Sequence, residues 1–276
     1  MVQDIMVRRY KTIPRQFPYK WVSSYGEDRY GIWCTFTIKG VTCKLRWIDP
    51  GEFFMGSPED EPERDSDEIQ HKVILTQGYW LGETACTQGL WKAVVGDNPS
   101  EFRGSDMLPV DNVSWDDCGE FIETVNKILP GLDLLLPTEA EWENACRAGT
   151  KTPFHFGNNI TTDQVNYDGN YPYPGGEKGE YRKKTVEVKT FPCNAWGLYE
   201  MHGNLLEWCG DWFGEYSGET ETDPTGPEEG VYRVLRGGCW LNNAQSVRSA
   251  SRDRCEPGGR NRGYGFRLAG GQPGHE

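Results

Sequence analysis

Residues 194–201 read Asn194-Ala195-Trp196-Gly197-Leu198-Tyr199-Glu200-Met201, and residues 203–208 read Gly203-Asn204-Leu205-Leu206-Glu207-Trp208. Both segments lie after residue 150, where hydrophobic periodicity nearly vanishes and Gly, Asn, Asp, Tyr and Pro dominate. A loop-rich half of this length is unusual unless ions, aromatic packing or function organise it. Because tryptophans and other aromatic residues recur throughout this half, we expect ordered loops rather than disorder.

The composition excludes several classes of partner. The chain of 276 residues carries 29 basic and 42 acidic residues, which gives a net charge of −13. A field of this sign repels phosphate backbones, so we expect no nucleic-acid partner. No apolar run approaches the ~18 residues of a membrane span, so we expect no transmembrane segment. The first ten residues lack an apolar core, which predicts no signal peptide; the location is then the cytoplasm, or the cell surface if an upstream lipoprotein signal was removed.

Cysteine and histidine usage excludes common metal and redox sites. The nine cysteines include no pair closer than Cys34 and Cys43, which removes every Cys-x-x-Cys motif. The four histidines are scattered, so a histidine-based zinc site is not expected. The chain also lacks a phosphate loop, a Gly-x-Ser-x-Gly elbow and a dinucleotide fingerprint. We therefore expect reduced, mostly buried thiols.

Residues 32–38 and 41–47 alternate between apolar and polar side chains around the turn Lys39-Gly40, which predicts a β-hairpin. In that register Cys34 and Cys43 are diagonal neighbours, ~7–8 Å apart, which is too far for an unstrained disulfide. We expect Arg46 on the polar face. The apolar face is expected to comprise Ile32, Cys34, Phe36, Ile38, Val41, Cys43, Leu45 and Trp47.

The front half also predicts three helices, marked by capping residues before them and by glycine or proline after them. They are expected from Thr84 or Thr87 to Gly96, from Ser114 to before Pro130, and from Thr138 to Gly149. We interpret Glu139, Glu141 and Glu143 as first-turn charges favoured by the helix dipole rather than as an acid–base cluster. The seven acidic residues within 59–68 predict a solvated loop.

Eight sequence blocks occur in a fixed order along the chain. They are Phe54-Met55-Gly56-Ser57, Trp80-Leu81-Gly82-Glu83-Thr84, residues 109–115, residues 136–143, the two segments quoted above, Arg236-Gly237-Gly238-Cys239-Trp240 and Gly265-Phe266-Arg267-Leu268. Together they resemble the formylglycine-generating-enzyme (sulfatase-modifying factor) family over roughly residues 44–269. The resemblance implies an α+β fold of the C-type-lectin-like type, loop-rich, with few helices and short antiparallel strands.

The catalytic cysteines of that family are missing. Its oxidases bind copper with two cysteines, the first of them three residues after the Ser of a Gly-Gly-Ser-aromatic block. Counting from Cys239, which replaces that Ser, places the pair at Asn242 and Val247, and counting back from Arg248 places it at Cys239 and Ala244. Neither alignment yields two thiols, and one cysteine cannot form the bis-thiolate that Cu(I) favours. We therefore expect no catalytic residue and no copper.

The C-terminal blocks also resemble those of variable proteins from diversity-generating retroelements, which share the family's fold. Their mutable stretch keeps Arg-Gly-Gly and a Trp, closes on Gly-Phe-Arg and carries many Asn positions between. This chain keeps Arg236-Gly237-Gly238, Trp240 and Gly265-Phe266-Arg267, and it differs largely where that stretch carries Asn. Adenine-directed mutagenesis of Asn codons reaches most of the residue types found there. The resemblance implies a variable region over residues 233–268.

We expect this variable region within one domain, 1–276, in which residues 1–43 form an N-terminal extension that begins the hairpin and residues 44–269 form the family module. Side chains that vary freely must be exposed on a backbone that other residues hold. The expected ligand-binding surface comprises Cys239, Leu241, Asn242, Asn243, Ser246, Val247, Ser251, Asp253, Arg254, Cys255, Glu256, Gly259, Arg262 and Tyr264.

The preferred functional hypothesis is a non-enzymatic display protein whose diversified C-terminal surface binds a protein or another macromolecule. The alternatives are an oxygen-dependent oxidase of a protein cysteine, a catalytically altered member of that family, and an ordinary surface loop without variation. The sequence leaves the identity of the ligand and the oligomeric state open.

The resemblance also carries over part of the family's structural calcium sites. The first set comprises the side chains of Glu200 and Glu207 with the carbonyls of Gly203 and Leu205. The second set comprises the side chains of Asn166 and Glu180 with the carbonyls of Tyr167 and Arg182. Oxygen ligands of this kind suit a hard cation such as calcium. Two positions depart in type, because Glu200 and Glu180 stand where the enzymes have Asn and Asp.

Overall fold

The computed structural model describes Pro14 and residues 17–270. The parts of the predicted domain at 1–13, 15–16 and 271–276 lie outside the described residues, and the division at residue 44 stays a prediction. The helices are α1 (Gln88–Val95), α2 (Trp115–Ile128) and α3 (Glu139–Arg147), with a 3-10 turn at Ala244–Val247. The strands are β1 (Ser24–Asp28), β2 (Gly31–Ile38), β3 (Val41–Ile48), β4 (Gly51–Met55), β5 (His71–Leu75), β6 (Tyr79–Gly82), β7 (Leu134–Leu135), β8 (Leu206–Trp212), β9 (Glu221–Thr222), β10 (Arg233–Arg236), β11 (Arg252–Cys255), β12 (Tyr264–Gly265) and β13 (Ala269–Gly270).

The strands form three sheets. The largest has the order β1-β2-β3-β6-β13-β7, the second β11-β10-β8-β12 and the third β4-β5-β9. Strand β13 lies between β6 and β7 and is antiparallel to both, so the end of the described chain completes the sheet that its beginning opens. Short, mostly antiparallel strands and three helices among the described residues confirm the predicted loop-rich α+β architecture.

Strands β2 and β3 form the predicted hairpin. Cys34 lies opposite Leu45, and Phe36 lies opposite Cys43, so the two thiols are diagonal neighbours as expected. Both thiols are free.

Arg46 lies on the polar face of the hairpin, as predicted, but this face is covered, because only 3% of the residue is exposed. Strand β1 and the loop that contains Gly197 cover its face of the hairpin. The guanidinium pairs with Asp28 at 3.0 Å and with Glu83 at 2.5 Å, and it donates to the carbonyl of Gly197 at 3.0 Å. The segment 194–201 is thereby attached to the largest sheet.

All three predicted helices are confirmed. Thr87, the later of the two candidate caps, begins α1. Ser114 and Thr138 begin α2 and α3, and each forms a capping box with the acidic residue at the third helical position, Asp117 or Glu141. None of the helices in the described part of the chain is long and apolar enough to cross a membrane.

Three arginines of the C-terminal blocks, Arg236, Arg248 and Arg267, have no exposed surface. A buried charge is strongly destabilising unless it is paired and hydrogen-bonded. Arg267 meets this requirement with two hydrogen bonds to Glu207, at 2.6 and 2.8 Å, and with one each to the carbonyls of Gly82 and Tyr199. The C-terminal Gly-Phe-Arg block is therefore fixed to β8 and β6.

Arg236 organises the backbone that follows the 3-10 turn. Its guanidinium pairs with the buried carboxylate of Glu143. It also donates to the carbonyls of Ser249 at 3.1 Å, Ala250 at 2.9 Å and Ser251. One side chain thereby fixes three consecutive carbonyl groups on the way to β11.

Arg248 reaches back to the acidic run in the front half. It donates to Glu61 at 2.7 Å, to Glu68 at 2.7 and 2.8 Å, and to the carbonyl of Glu63 at 3.0 Å. Burial alone would lower the pKa of Arg248, but Glu68 and Glu61 raise it above its usual value. The expectation of a wholly solvated acidic loop is wrong for Glu61 and Glu68, which are buried as the counter-charges of this arginine.

The acidic residues of α3 agree with the expectation in part. Glu139 and Glu141 lie in the first turn, as predicted, and Glu141 also forms the capping box with Thr138. Glu143 lies beyond the first turn, and both Glu139 and Glu143 are buried, because Arg252 pairs with Glu139 and Arg236 pairs with Glu143. These two carboxylates neutralise arginines of the C-terminal stretch.

We predict that Arg248→Met destabilises the protein by about 3–5 kcal/mol, because it leaves two carboxylates buried without a partner. Equilibrium urea unfolding measures the change. The matched control is Lys127→Met, which removes an exposed pair with Glu123 at 3.4 Å and should cost less than about 0.5 kcal/mol. Adding Glu61→Gln and Glu68→Gln to Arg248→Met should restore part of the loss. An Arg248→Met variant as stable as the control would contradict the role assigned to this ion pair.

Candidate functional site

The C-terminal stretch turns sharply at Gly237 and Gly238, whose φ angles are +94° and +65°. A Cβ on Gly238 would lie 2.5 Å from the carbonyl oxygen of Ser246 and 2.6 Å from the side chain of Val247. Only glycine fits this conformation and this close approach. The turn places Cys239 and the residues after it across the end of the four-stranded sheet.

Trp240 anchors the stretch that follows. It is 2% exposed, and its ring packs edge-on against Phe102 with centroids 5.3 Å apart. The guanidinium of Arg262 lies over the ring at 5.2 Å, and the indole N–H donates to the Arg262 carbonyl at 3.3 Å. The tryptophan thereby connects the beginning of the predicted variable region to its end.

Local hydrogen bonds hold the loop between Trp240 and Arg248. The side-chain oxygen of Asn242 accepts from the amide of Cys239 at 2.8 Å, and that of Asn243 accepts from the amide of Ser246 at 3.0 Å. Asn243 is therefore the cap of the 3-10 turn. Variation at these two asparagines would remove bonds that shape the loop.

Strand β11 presents the next part of the surface. It is the edge strand of its sheet and pairs only with β10, with Arg254 opposite Val234 and Asp253 opposite Leu235. Asp253 and Arg254 are exposed, and the Arg254 guanidinium lies 4.4 Å from the centroid of the Phe213 ring.

The segment after β11 is fixed to the start of α2. The carbonyl of Pro257 accepts from the amide of Trp115 at 3.0 Å, and Arg260 pairs with Asp117. The carbonyl of Asn261 accepts from the amide of Asn112 at 3.1 Å. The backbone of the predicted variable region is therefore held at both ends and in its middle.

The structure divides the fourteen predicted surface residues by exposure. The exposed ones are Asp253, Arg254, Glu256 and Arg262, and the half-buried ones are Leu241, Asn242, Asn243, Ser246, Cys255, Gly259 and Tyr264. Cys239, Val247 and Ser251 are buried, so their expected place on the surface is wrong. Val247 packs into the cluster that contains Phe154 and Tyr173, and the carbonyl of Ser251 accepts from Arg236.

The charges of two exposed residues act on the buried Cys239 thiol. Burial raises the pKa of this thiol to about 11, and the charges of Asp253 and Arg262 also act on it. Tyr264 lies beside both Cys255 and Cys239, and burial together with these neighbours raises the pKa of its phenol. A thiol that stays protonated at neutral pH is a poor nucleophile and a poor metal ligand.

Two aromatic residues beside this surface were not predicted from the sequence. Tyr171 and Tyr232 are 64% and 41% exposed. The Tyr171 carbonyl accepts from the amide of Ala244, and the Arg254 guanidinium lies 5.7 Å from the centroid of the Tyr232 ring. The presence of each tyrosine in a glycine-rich loop was the available signal for an exposed aromatic residue. No spacing rule, however, places either loop next to the variable region.

The first predicted calcium set does not fit the ion. The carboxylate of Glu207 is occupied by two hydrogen bonds from Arg267 and one from the indole of Trp142 at 2.7 Å. The carboxylate of Glu200 accepts from the amides of Lys189 and Phe191 at 3.0 and 3.3 Å. Arg267 already supplies a positive charge beside Glu207, which makes this set less suitable for a cation.

The second predicted calcium set fits in part. Asn166 donates to the carbonyl of Lys184 and to Asn204, while its own side-chain oxygen is buried without a partner. A buried oxygen of this kind is a suitable ligand for a hard cation. Glu180 is largely exposed and pairs with Arg182 at 3.0 Å.

Comparison with protein families decides the classification. Residues 41–271 match the sulfatase-modifying factor enzyme 1-like domain. The chain belongs to this domain family. A formylglycine-generating enzyme of Thermomonospora curvata is 35% identical over 215 residues, which are 73% of this chain and 67% of that protein. A serine/threonine-protein kinase pkn1 of Chlamydia caviae is 39% identical over 166 residues, and the chain spans only 24% of its length.

A solved structure of the same architecture is that of Treponema denticola variable protein 1. Its TM-score is 0.73 at 30% sequence identity, and the match covers 87% of this chain and 99% of that chain. This likeness and the family membership confirm the predicted fold of the formylglycine-generating-enzyme, C-type-lectin-like type. They also confirm the resemblance to a variable protein that the C-terminal blocks indicated.

Proposed function

We propose that this member of the sulfatase-modifying factor enzyme 1-like family is a non-enzymatic display protein whose C-terminal surface binds varied macromolecular partners. The observation that carries the proposal is the division of residues 233–268 into a buried frame and an exposed set. Arg236, Trp240 and Arg248 are buried, whereas Asp253, Arg254, Glu256 and Arg262 are exposed. Side chains can change freely at exposed positions whose backbone is fixed by other residues.

The chemistry of the surface supports a macromolecular partner. Its exposed and half-buried residues combine both signs of charge with Leu241 and Tyr264, and the exposed aromatic side chains of Tyr171 and Tyr232 lie beside it. Arginine and tyrosine are favoured anchors at protein interfaces. Display at the cell surface is the location that such a role requires.

The likeness to a variable protein over 87% of the chain agrees with this role. Formylglycine-generating enzymes are also relatives, which keeps the oxidase as the competing function. The surface supplies a single buried thiol at the relevant block, Cys239, and its pKa of about 11 disfavours the thiolate that copper binding requires. The display role therefore accounts for more of the site than the oxidase does.

Deep sequencing of codons 233–268 and their flanking DNA across a cell population tests the proposal. We expect variation at Asp253, Arg254, Glu256 and Arg262, because these side chains are exposed. We expect none at Arg236, Trp240 or Arg248, and an Asn-rich near-repeat of the region should lie nearby.

The matched control is the largely exposed segment at residues 215–229, which should be uniform in the same reads. A uniform sequence across codons 233–268 with no near-repeat would contradict diversification. Stoichiometric Cu(I) uptake that is lost in Cys239→Ser would favour the oxidase instead.

We also infer that the second set, with Asn166 at its centre, holds a structural calcium ion that orders the loop-rich half. The support is the buried side-chain oxygen of Asn166, which has no partner in the protein. An unsatisfied buried acceptor is destabilising, and a bound cation would compensate it.

Thermal unfolding in excess Ca²⁺ and in EDTA checks this inference. Calcium at a hundred times its Kd should add about 2.7 kcal/mol to the stability, since it binds only the folded state. Asn166→Ala should abolish the difference in Tm, whereas Asn170→Ala, at an exposed position in the same loop, should keep it. An equal Tm in Ca²⁺ and EDTA would refute calcium binding.

A further inference from the structure

A cavity of about 390 Å³ lies outside the predicted ligand-binding surface. Residues of β4, β5, α3, β8 and β11 form its walls, and the segment 214–227, which includes β9, closes its side. The exposed residues Glu215, Thr222 and Thr225 belong to its lining, so it opens to solvent. Its volume falls in the range of pockets that bind small molecules or a single side chain.

One wall of the cavity carries an imidazole with an unused nitrogen. His71 is 3% exposed, and its Nδ1 lies 2.9 Å from the carbonyl oxygen of Ile69. In the neutral ring Nδ1 therefore carries the proton and Nε2 is an acceptor. Nε2 is buried and has no partner in the protein. The ring is held in place against Tyr216, with centroids 4.7 Å apart. A ligand in the cavity could therefore supply the hydrogen-bond donor that Nε2 lacks.

Two buried carboxyl groups also line the cavity. Asp211 accepts from the amide of Glu139 at 2.8 Å, and both side chains are almost completely buried. Burial and the neighbouring charge of Glu139 raise the pKa of Asp211 to about 8. A cation placed here would relieve this repulsion and favour the ionised form of Asp211.

The arginine in the cavity is not available to an anion. Arg252 donates to both oxygens of Glu139, at 2.7 and 2.8 Å, and to the carbonyls of Gly214 and Asp67. Glu215 and Glu221 add two further carboxylates to the lining. The cavity therefore presents excess negative charge and hydrogen-bond acceptors. Both features favour a ligand that is positively charged and donates hydrogen bonds.

We propose that this cavity binds an organic ammonium group, which donates to Nε2 of His71 and lies against the carboxylate of Asp211. A metal ion is the less suitable cation, because no three His, Cys, Asp or Glu side chains within residues 17–270 converge as metal ligands. The ammonium belongs either to a free small amine or to a lysine side chain of a partner. This site is independent of the display surface, since none of the fourteen predicted surface residues lines it.

Titration of the purified full chain with three probes of equal chain length tests the charge requirement. By isothermal titration calorimetry, n-butylammonium should bind, whereas n-butanol and n-butyrate should not. His71→Asn removes the Nε2 acceptor but retains a donor for the Ile69 carbonyl, and Asp211→Asn removes the charge but retains an acceptor for the Glu139 amide. Each should weaken n-butylammonium binding at least tenfold, and Asp163→Asn, at an exposed position outside the cavity, should leave it unchanged.

Equal binding of the three probes, or unchanged binding in folded His71→Asn and Asp211→Asn, would overturn the proposal. Should either variant fail to fold, the side-chain ¹⁵N resonance of His71 in the unaltered protein decides the matter. It should shift on saturation with n-butylammonium, and an unshifted resonance refutes the site. Displacement of the probe by stoichiometric Zn²⁺ would reassign the cavity to a metal.

Two further probes distinguish the sources of the ammonium group. N-acetyl-lysine methylamide represents a lysine side chain of a partner, and ethanolamine represents a free small amine. Tighter binding of the first assigns the cavity to a protein lysine, and tighter binding of the second assigns it to a free amine. Binding of neither probe would contradict the proposal.

Discussion

The pairing of buried arginines with buried carboxylates is the interaction on which the loop-rich half depends. Arg236, Arg248 and Arg267 have no exposed surface, and each pairs with a carboxylate from another part of the chain. Their guanidinium groups also donate to backbone carbonyls, most of which lie outside the strands. Charge pairs thereby replace the hydrogen-bond ladders that hold the backbone in sheet-rich proteins.

This arrangement separates the residues that hold the backbone from the residues that face solvent. The arginines, the glycine turn and Trp240 fix the backbone of the stretch, whereas the side chains of Asp253 and Arg262 are exposed. The same stretch borders the second site, because Arg252 lies in the wall of the ammonium cavity. The two sites therefore share a supporting frame while they present different chemistry.

Local patterns in the sequence predicted the hairpin, the helix caps and the family blocks, because alternation, capping residues and glycine turns depend on neighbouring residues. The partners of the buried arginines could not be predicted in this way. Arg248 meets Glu61 and Glu68 at separations of 187 and 180 residues, and no spacing rule connects residues so far apart. The burial of Val247 and the cavity at His71 likewise arise only when distant loops pack together.

The central claim is that a buried frame holds the backbone so that the exposed positions are free to change. A saturation library over residues 233–268, sorted for protease resistance and sequenced, measures this directly. The account predicts that most substitutions at Asp253, Arg254, Glu256 and Arg262 remain resistant, whereas substitutions at Arg236, Arg248 and Gly238 are cleaved. Equal tolerance at the buried arginines and the exposed positions would contradict it, because the surface would then not depend on the frame.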